Sequence, residues 1–274
     1  MVTIPPEPPS PSSEPHRARQ VAESFGSDPQ RYDRTRPRYP QALADRVMDA
    51  SPGTEVLDVG IGTGVSALPF RERGCRVLGV EPDERMAELA RQRGFAIEVA
   101  SFEEWHAGGR TFDAVISGQA WHWVGPVVGA AKAAELLRPG GRLAVFWNVF
   151  QPPPDLAAAF AGVYRQVLPG SPFFRVAVPG MDAYSGLFGM AVDGIRAAGA
   201  FGEPERWKFG WERAYTKDEW LEQVPTFGGH SNLPAGKLDE LLAGIGAAID
   251  AVGGRFTMWY TAVVLSAGVQ SRAA

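Results

Sequence analysis

The sequence predicts an α/β fold, a mostly parallel sheet with helices on both faces, and three observations carry that expectation. A strand, a glycine turn and a helix follow one another over residues 56–73. Short apolar strands and helical segments then alternate as far as residue 147, the pattern of parallel strands joined by right-handed crossovers. Two later segments, 207–215 and 255–265, alternate like strands and read as an antiparallel pair that closes the sheet.

Residues 1–15 are rich in proline and serine with almost nothing to bury, so 1–16 is expected to be a disordered tail and 17–274 the folded domain. From 17 to 40, arginines are interleaved with Phe25, Tyr32 and Tyr39, a partly helical arm. A helix over 41–50 stops at Ser51-Pro52-Gly53. Val56, Leu57 and Val59 then form a strand too apolar to face water on either side, and the glycines at 60, 62 and 64 end it in a sharp turn. The helix that follows, 65–73, turns Ala67, Leu68 and Phe70 inward and is capped by Gly74.

A second strand, 76–80, ends in Glu81, and a helix over 83–93 buries Met86, Leu89 and Ala90. Strands over 96–100 and 112–117 follow. The helix ending at 132–137 stops at Arg138-Pro139-Gly140-Gly141, before a fifth strand over 142–147. Residues 151–179, with a helix over 155–167 and an aromatic loop holding Phe173 and Phe174, read as an insertion placed like a cap over the site. A helix over 183–198 returns to the sheet, and helices over 217–224 and 238–252 lie between the last two strands.

Composition narrows the partners. A net charge of −4 over 274 residues gives no electrostatic reason to expect nucleic acid or an anionic membrane. The single cysteine, Cys75, excludes an internal disulfide and a cysteine-rich metal site, and no metal-ligand spacing joins His16, His106, His122 and His230. No apolar run reaches spanning length and no secretory signal is visible, so a cytoplasmic protein is expected.

The glycine turn carries the functional signal. Its spacing is G-x-G-x-G with Asp58 two residues before the first glycine, whereas a dinucleotide site wants G-x-G-x-x-G. A carboxylate there repels a pyrophosphate and suits a cationic ligand. Glu81, at the end of the second strand, stands where nucleotide folds place an acid for ribose hydroxyls.

These residues resemble the class I S-adenosylmethionine (SAM)-dependent methyltransferases, a Rossmann-like α/β fold with a seven-stranded, mostly parallel sheet. The resemblance spans roughly residues 32–265 and is strongest over 55–147. Gly118-Gln119-Ala120-Trp121-His122-Trp123 is similar to the Gln-Ala-aromatic-His-Trp signature of the trans-aconitate-like and ubiquinone-biosynthesis-like branch. The resemblance implies SAM as cofactor, with Gly60, Ile61 and Gly62 along its methionine part and Asp58 beneath, serving the amino group indirectly. It gives Glu81 the ribose diol, Pro82 and Met86 the ribose and adenine, and Ser101 and Phe102 the adenine clamp. Tyr32 and Arg36, in an arm that closes over the cofactor, would meet the methionine carboxylate. Gln119 and Ala120 would pass the amino group, and Trp121 and Trp123 would wall the sulfonium, a cation drawn to ring faces.

The implied activity is methyl transfer to a small molecule, at a carboxylate or hydroxyl oxygen in preference to carbon. His122 is the candidate catalytic group: a general base for a hydroxyl acceptor, or only a pocket wall for a carboxylate. His230, in a polar loop, could face the acceptor pocket, but is expected to face solvent. A non-catalytic SAM-binding protein and, more remotely, a nicotinamide-dependent oxidoreductase are the alternatives. Acceptor identity and oligomeric state are not legible.

Overall fold

The structure is a computed structural model that describes residues 25–169 and 180–270. The 1–16 tail, Phe173 and Phe174 lie outside the described residues. A seven-stranded sheet has the order β3-β2-β1-β4-β5-β7-β6. Its strands are β1 (Glu55–Val59), β2 (Arg76–Glu81), β3 (Ala96–Val99), β4 (Phe112–Gly118), β5 (Leu137–Gln151), β6 (Glu205–Thr216) and β7 (Arg255–Gly268). The first five are parallel to their neighbours, and β7 runs antiparallel to both β5 and β6.

Strand alternation sends successive residues to opposite faces, and each face finds its helices. Val56, Ala114 and Phe146 pack beneath α2 (Gln41–Asp49) and α3 (Leu68–Glu72), with Leu43, Val47 and Phe70 fully buried. On the other face Leu57, Val115 and Trp147 pack against α5 (Pro126–Leu136) and α7 (Met181–Ala198), where Ala133 and Ile195 are fully buried. Between β2 and β3 runs α4 (Glu84–Gln92), which buries Ala87 where the periodicity pointed to Leu89.

A third core lies beyond the carboxyl ends of the strands. There α6 (Pro154–Val167), α8 (Lys217–Gln223) and α9 (Ala235–Asp250) gather Phe160, Trp220 and Ile245 over Phe256 and Met258 of β7. Trp220 touches Phe160, Tyr215, Phe227 and Phe256 as a hub of aromatic contacts.

Two elements differ from expectation. The helix expected over 65–73 is α3 alone, only Leu68–Glu72. The turn runs on through Gly64, whose φ is +89°, and Ala67 N–H bonds back to Gly64 O, three residues earlier. Helix starts only where Pro69, needing no N–H partner, sits in the first turn. The fifth strand is longer than 142–147. Arg142 to Gln151 pair with β7 throughout, and Leu137 already pairs with Phe112 before an irregularity at the Pro-Gly-Gly turn.

Candidate active site

Strand β1 delivers the chain into the glycine turn at the sheet's carboxyl edge, where ligands of open α/β sheets bind. Gly60 and Gly62 have φ of +69° and +58°, and a Cβ on Gly60 would stand 2.5 Å from Ala120 Cβ. Backbone therefore comes close to both neighbour and ligand, which only glycine permits. Ile61 points its side chain into the core, so its backbone is what the cavity meets.

Two buried carboxyl groups flank this turn. Glu81 accepts from Gly62 N–H at 2.8 Å through one oxygen and from Asp83 N–H at 3.0 Å through the other. Burial pushes its pKa up to about 7 against those hydrogen bonds. Each oxygen keeps a lone pair, and the residue lines the cavity. Asp58, fully buried, accepts only from Ser66 Oγ, at 2.7 Å, and its Oδ1 has no partner. Its pKa rises to about 8 by the same desolvation. Asp58 does not line the cavity but sits under the turn.

Beyond β2 and β3, Pro82, Met86, Ser101 and Phe102 border the same cavity. Phe102 is buried, with Lys132 Nζ 5.4 Å from its ring centre. At the end of β4, Gln119 has a φ of +57°, and it is the only non-glycine residue with positive φ among the described residues. Such a conformation costs about 1–2 kcal/mol and concentrates at functional sites. Gln119 and Ala120 line the cavity.

Trp121 does not. It is buried in the core against Phe102 and near Gly129, while Trp123 takes the cavity wall. Both belong to one 3-10 turn, Trp121–Trp123, with three residues per turn, so residues two apart face different sides.

The arm is α1 (Pro29–Thr35), capped by Asp28, whose carboxylate accepts from Arg31 N–H at 3.0 Å. It is tied to α4 by the Asp33–Arg93 ion pair and to α8 by Arg34–Glu222. Arg36, just after α1, lies with its guanidinium 4.4 Å from the Tyr32 ring centre and 5.5 Å from that of Phe227. One Nη donates to Thr226 O, whereas Nε is buried with no partner. Tyr32 and Arg36 both line the cavity, and a buried guanidinium N–H without a partner fits an incoming carboxylate.

The cavity measures about 830 Å³ and continues from the glycine turn to the aromatic core under α6. His122 lies in its wall, and its Nδ1 accepts the indole N–H of Trp147 at 3.3 Å. Burial drives this imidazole down to about 4, so the neutral ring carries its proton on Nε2 and offers a donor.

His230 corrects the expectation of an exposed loop. It is 3% exposed, on the 3-10 turn His230–Asn232, and its Nε2 meets Tyr164 Oη of α6 at 2.9 Å. Tyr164 and Phe160, cavity residues that the sequence reading passed over, stand four apart on α6. That spacing, together with placement in the expected cap, was the available signal.

Comparison with known proteins agrees with this geometry. The family described as a methyltransferase domain matches residues 57–145. An uncharacterized methyltransferase of Mycobacterium tuberculosis is 38% identical over 133 residues, 47% of this chain and 54% of that one. A demethylmenaquinone methyltransferase of Tropheryma whipplei is 30% identical over 163 residues, 55% of this chain and 67% of that one. The chain belongs to the class I SAM-dependent methyltransferases. The methyltransferase fold extends past the matched stretch: a structure from Anaeromyxobacter dehalogenans, provisionally assigned as a type II methyltransferase, superposes with a TM-score of 0.62 at 23% identity. That superposition covers 84% of this chain and 97% of the other. The chain spans about half the length of the mycobacterial relative.

Among the described residues no cluster of histidine, cysteine, aspartate or glutamate could hold a metal ion, and no helix is long and apolar enough to cross a membrane.

Proposed function

We propose that this protein transfers the methyl group of SAM to an oxygen atom of a small molecule, a carboxylate or a hydroxyl. The observation that carries this reading is one continuous cavity with two unlike ends. At one end lie the glycine turn and Glu81; at the other lies an aromatic chamber under α6, against whose Phe227 the Arg36 guanidinium packs with its Nε unpartnered. At about 830 Å³ the cavity is near the top of the ~300–1,000 Å³ range of single-ligand sites, room for a nucleoside-sized cofactor and a second molecule.

The cofactor residues fit the group. Glu81 has lone pairs for a ribose diol, Arg36 an N–H for a carboxylate, and Asp58 a buried carboxyl that a cation above it would favour ionising. Bound SAM supplies both an electrophilic methyl carbon and a neutral thioether leaving group. The protein's own contribution is alignment of the acceptor, which can be worth about 7–11 kcal/mol. His122 acts there as a donor rather than a base. With Nδ1 occupied by Trp147, its Nε2–H is available to an acceptor oxygen, and the ring stays neutral through physiological pH.

Incubating the protein with methyl-labelled SAM and a small-molecule extract tests the activity. Label appearing in an organic-soluble product supports it; SAM binding without any transferred label would make the protein a SAM-binding module. Calorimetry with SAM and with nicotinamide dinucleotide tests the cofactor, and tighter binding of the dinucleotide would refute the assignment. For His122, an NMR titration of the ring is expected to show it neutral down to about pH 4. A midpoint between 6 and 7 would restore it as a base.

A further inference from the structure

The far end of the cavity is built for a different kind of molecule from its near end. Among the described residues, the carboxylates that line the cavity (Glu81, Asp83, Glu84 and Glu103) come from the end of β2, the start of α4 and the loop after β3. The far end is walled by Phe150, Phe160, Trp220, Phe227 and Ile245, and no Asp, Glu or Lys joins them among the described residues. Among the described residues that line the cavity, Arg36 is the cation in contact with this end, with aromatic rings on its faces and one nitrogen committed to Thr226 O. A polycarboxylate would enter this chamber with most of its charge uncompensated, and a cationic amine would find no anion and would face Arg36.

In this apolar wall stands a hydrogen-bonded neutral pair, Tyr164 Oη and His230 Nε2 at 2.9 Å. Burial keeps the His230 ring uncharged, at about 4, and raises Tyr164 far above physiological pH. Tyr164 Oη, which can make more than its one hydrogen bond to the neutral His230 ring, recognises a single ligand hydroxyl in this aromatic enclosure and disfavours ligands lacking it, because its remaining capacity is then left unfilled.

We propose that the acceptor chamber takes an uncharged compound with an aromatic or similarly flat apolar body and one hydroxyl, and that the Tyr164–His230 pair reads that hydroxyl. The proposal rests on the methyltransferase reading and narrows its oxygen acceptor from carboxylate or hydroxyl to hydroxyl on an apolar ring: the O–CH3 bond forms as the methyl–sulfur bond breaks, the sulfur leaves as a neutral thioether, and the hydroxyl's proton is lost to water. No charge need be neutralised in the chamber, and the ring faces of Trp220 and Phe227 supply the contact area.

Binding of three probes to the full chain, measured by calorimetry with and without saturating S-adenosylhomocysteine, tests it: 2-naphthol, naphthalene, and propane-1,2,3-tricarboxylate. We expect 2-naphthol to bind at least tenfold more tightly than the tricarboxylate. Tyr164→Phe keeps the ring and should weaken 2-naphthol about fivefold, the size of one neutral hydrogen bond, while leaving naphthalene unchanged. His230→Gln is the second variant, expected to act in the same direction, should the first fold poorly by thermal melt. Tighter binding of the tricarboxylate, or equal losses for 2-naphthol and naphthalene in the folded variant, would overturn the proposal. The two readings fail separately. Failure of S-adenosylhomocysteine to bind, with 2-naphthol still selected, removes the cofactor assignment and leaves the chamber; the converse result removes only the chamber.

Discussion

At the scale of single residues, the site depends on carboxyl groups placed where they are costly to ionise. Glu81 holds two backbone N–H groups and faces the cavity. Hydrogen bonds to a charged group are worth about 1.5–3 kcal/mol each, and every ~1.4 kcal/mol is tenfold in affinity. Glu81→Ala is therefore expected to weaken SAM at least about tenfold while circular dichroism shows the fold retained; an unchanged dissociation constant would displace Glu81 from the ribose. Asp58 makes a different prediction. Its folded pKa of about 8 lies above the ordinary value near 4, so between those limits the folded protein binds more protons than the unfolded chain. Stability from this group is fully present below about pH 4 and is lost as pH rises toward 8. His122 and His230, both lowered to about 4, act in the opposite sense between pH 4 and 6.5. Comparing Asp58→Asn with wild type cancels the histidines. The apo variant should gain in melting temperature relative to wild type from pH 5 to pH 8, and should bind SAM more weakly. A difference that stays flat with pH would show that Asp58 is not protonated in the apo fold.

At the scale of elements, α1, whose Tyr32 lines the cavity, is held by one ion pair to the end of α4 and one to α8. Exposed ion pairs such as Arg34–Glu222 contribute little by themselves. In the proposed reading Arg36 is the part of the arm that meets the cofactor. Removing residues 2–15 should leave SAM affinity unchanged, whereas Arg36→Ala should raise the SAM dissociation constant about tenfold, measured by calorimetry; normal binding by that variant would free the arm from the cofactor. This contrast also marks what could be read in the sequence. The glycine turn, Glu81 and the strands were legible because a period of two and a positive-φ requirement leave local traces. Which of Trp121 and Trp123 meets the cavity was not, since it depends on a 3-10 turn between two strands' worth of packing. His230 was misread for a related reason: the group that buries it, Tyr164, lies 66 residues earlier in the chain. Pattern along the sequence cannot report a partner so distant.

At the scale of the whole molecule, the cavity lies among three cores, two on the sheet faces and one under α6 and α9. Ligand touching all of them should tighten the fold as a unit. Saturation at a hundred times the dissociation constant adds about 2.7 kcal/mol. For a chain near this size each kcal/mol moves the melting temperature about 2–4 °C, so SAM should raise it by about 5–10 °C in a single transition. Two resolved transitions, only one of them moved by SAM, would mean that the aromatic core melts independently of the cofactor half.

The chain leaves β5 at Gln151 and enters α7 just after Gly180, and a Cβ on Gly180 would lie 3.9 Å from the Gln151 side chain. The segment bearing Phe160 and Tyr164 thus departs and returns through one doorway. A graft exchanged at that doorway need not disturb the strands on either side, nor the glycine turn that precedes them. Closing a loop costs only slowly more as it lengthens, so segments of unequal length can be traded there. Lineages could then acquire new acceptors by recombination at two adjacent points, and a protein engineer can do the same with a single cassette.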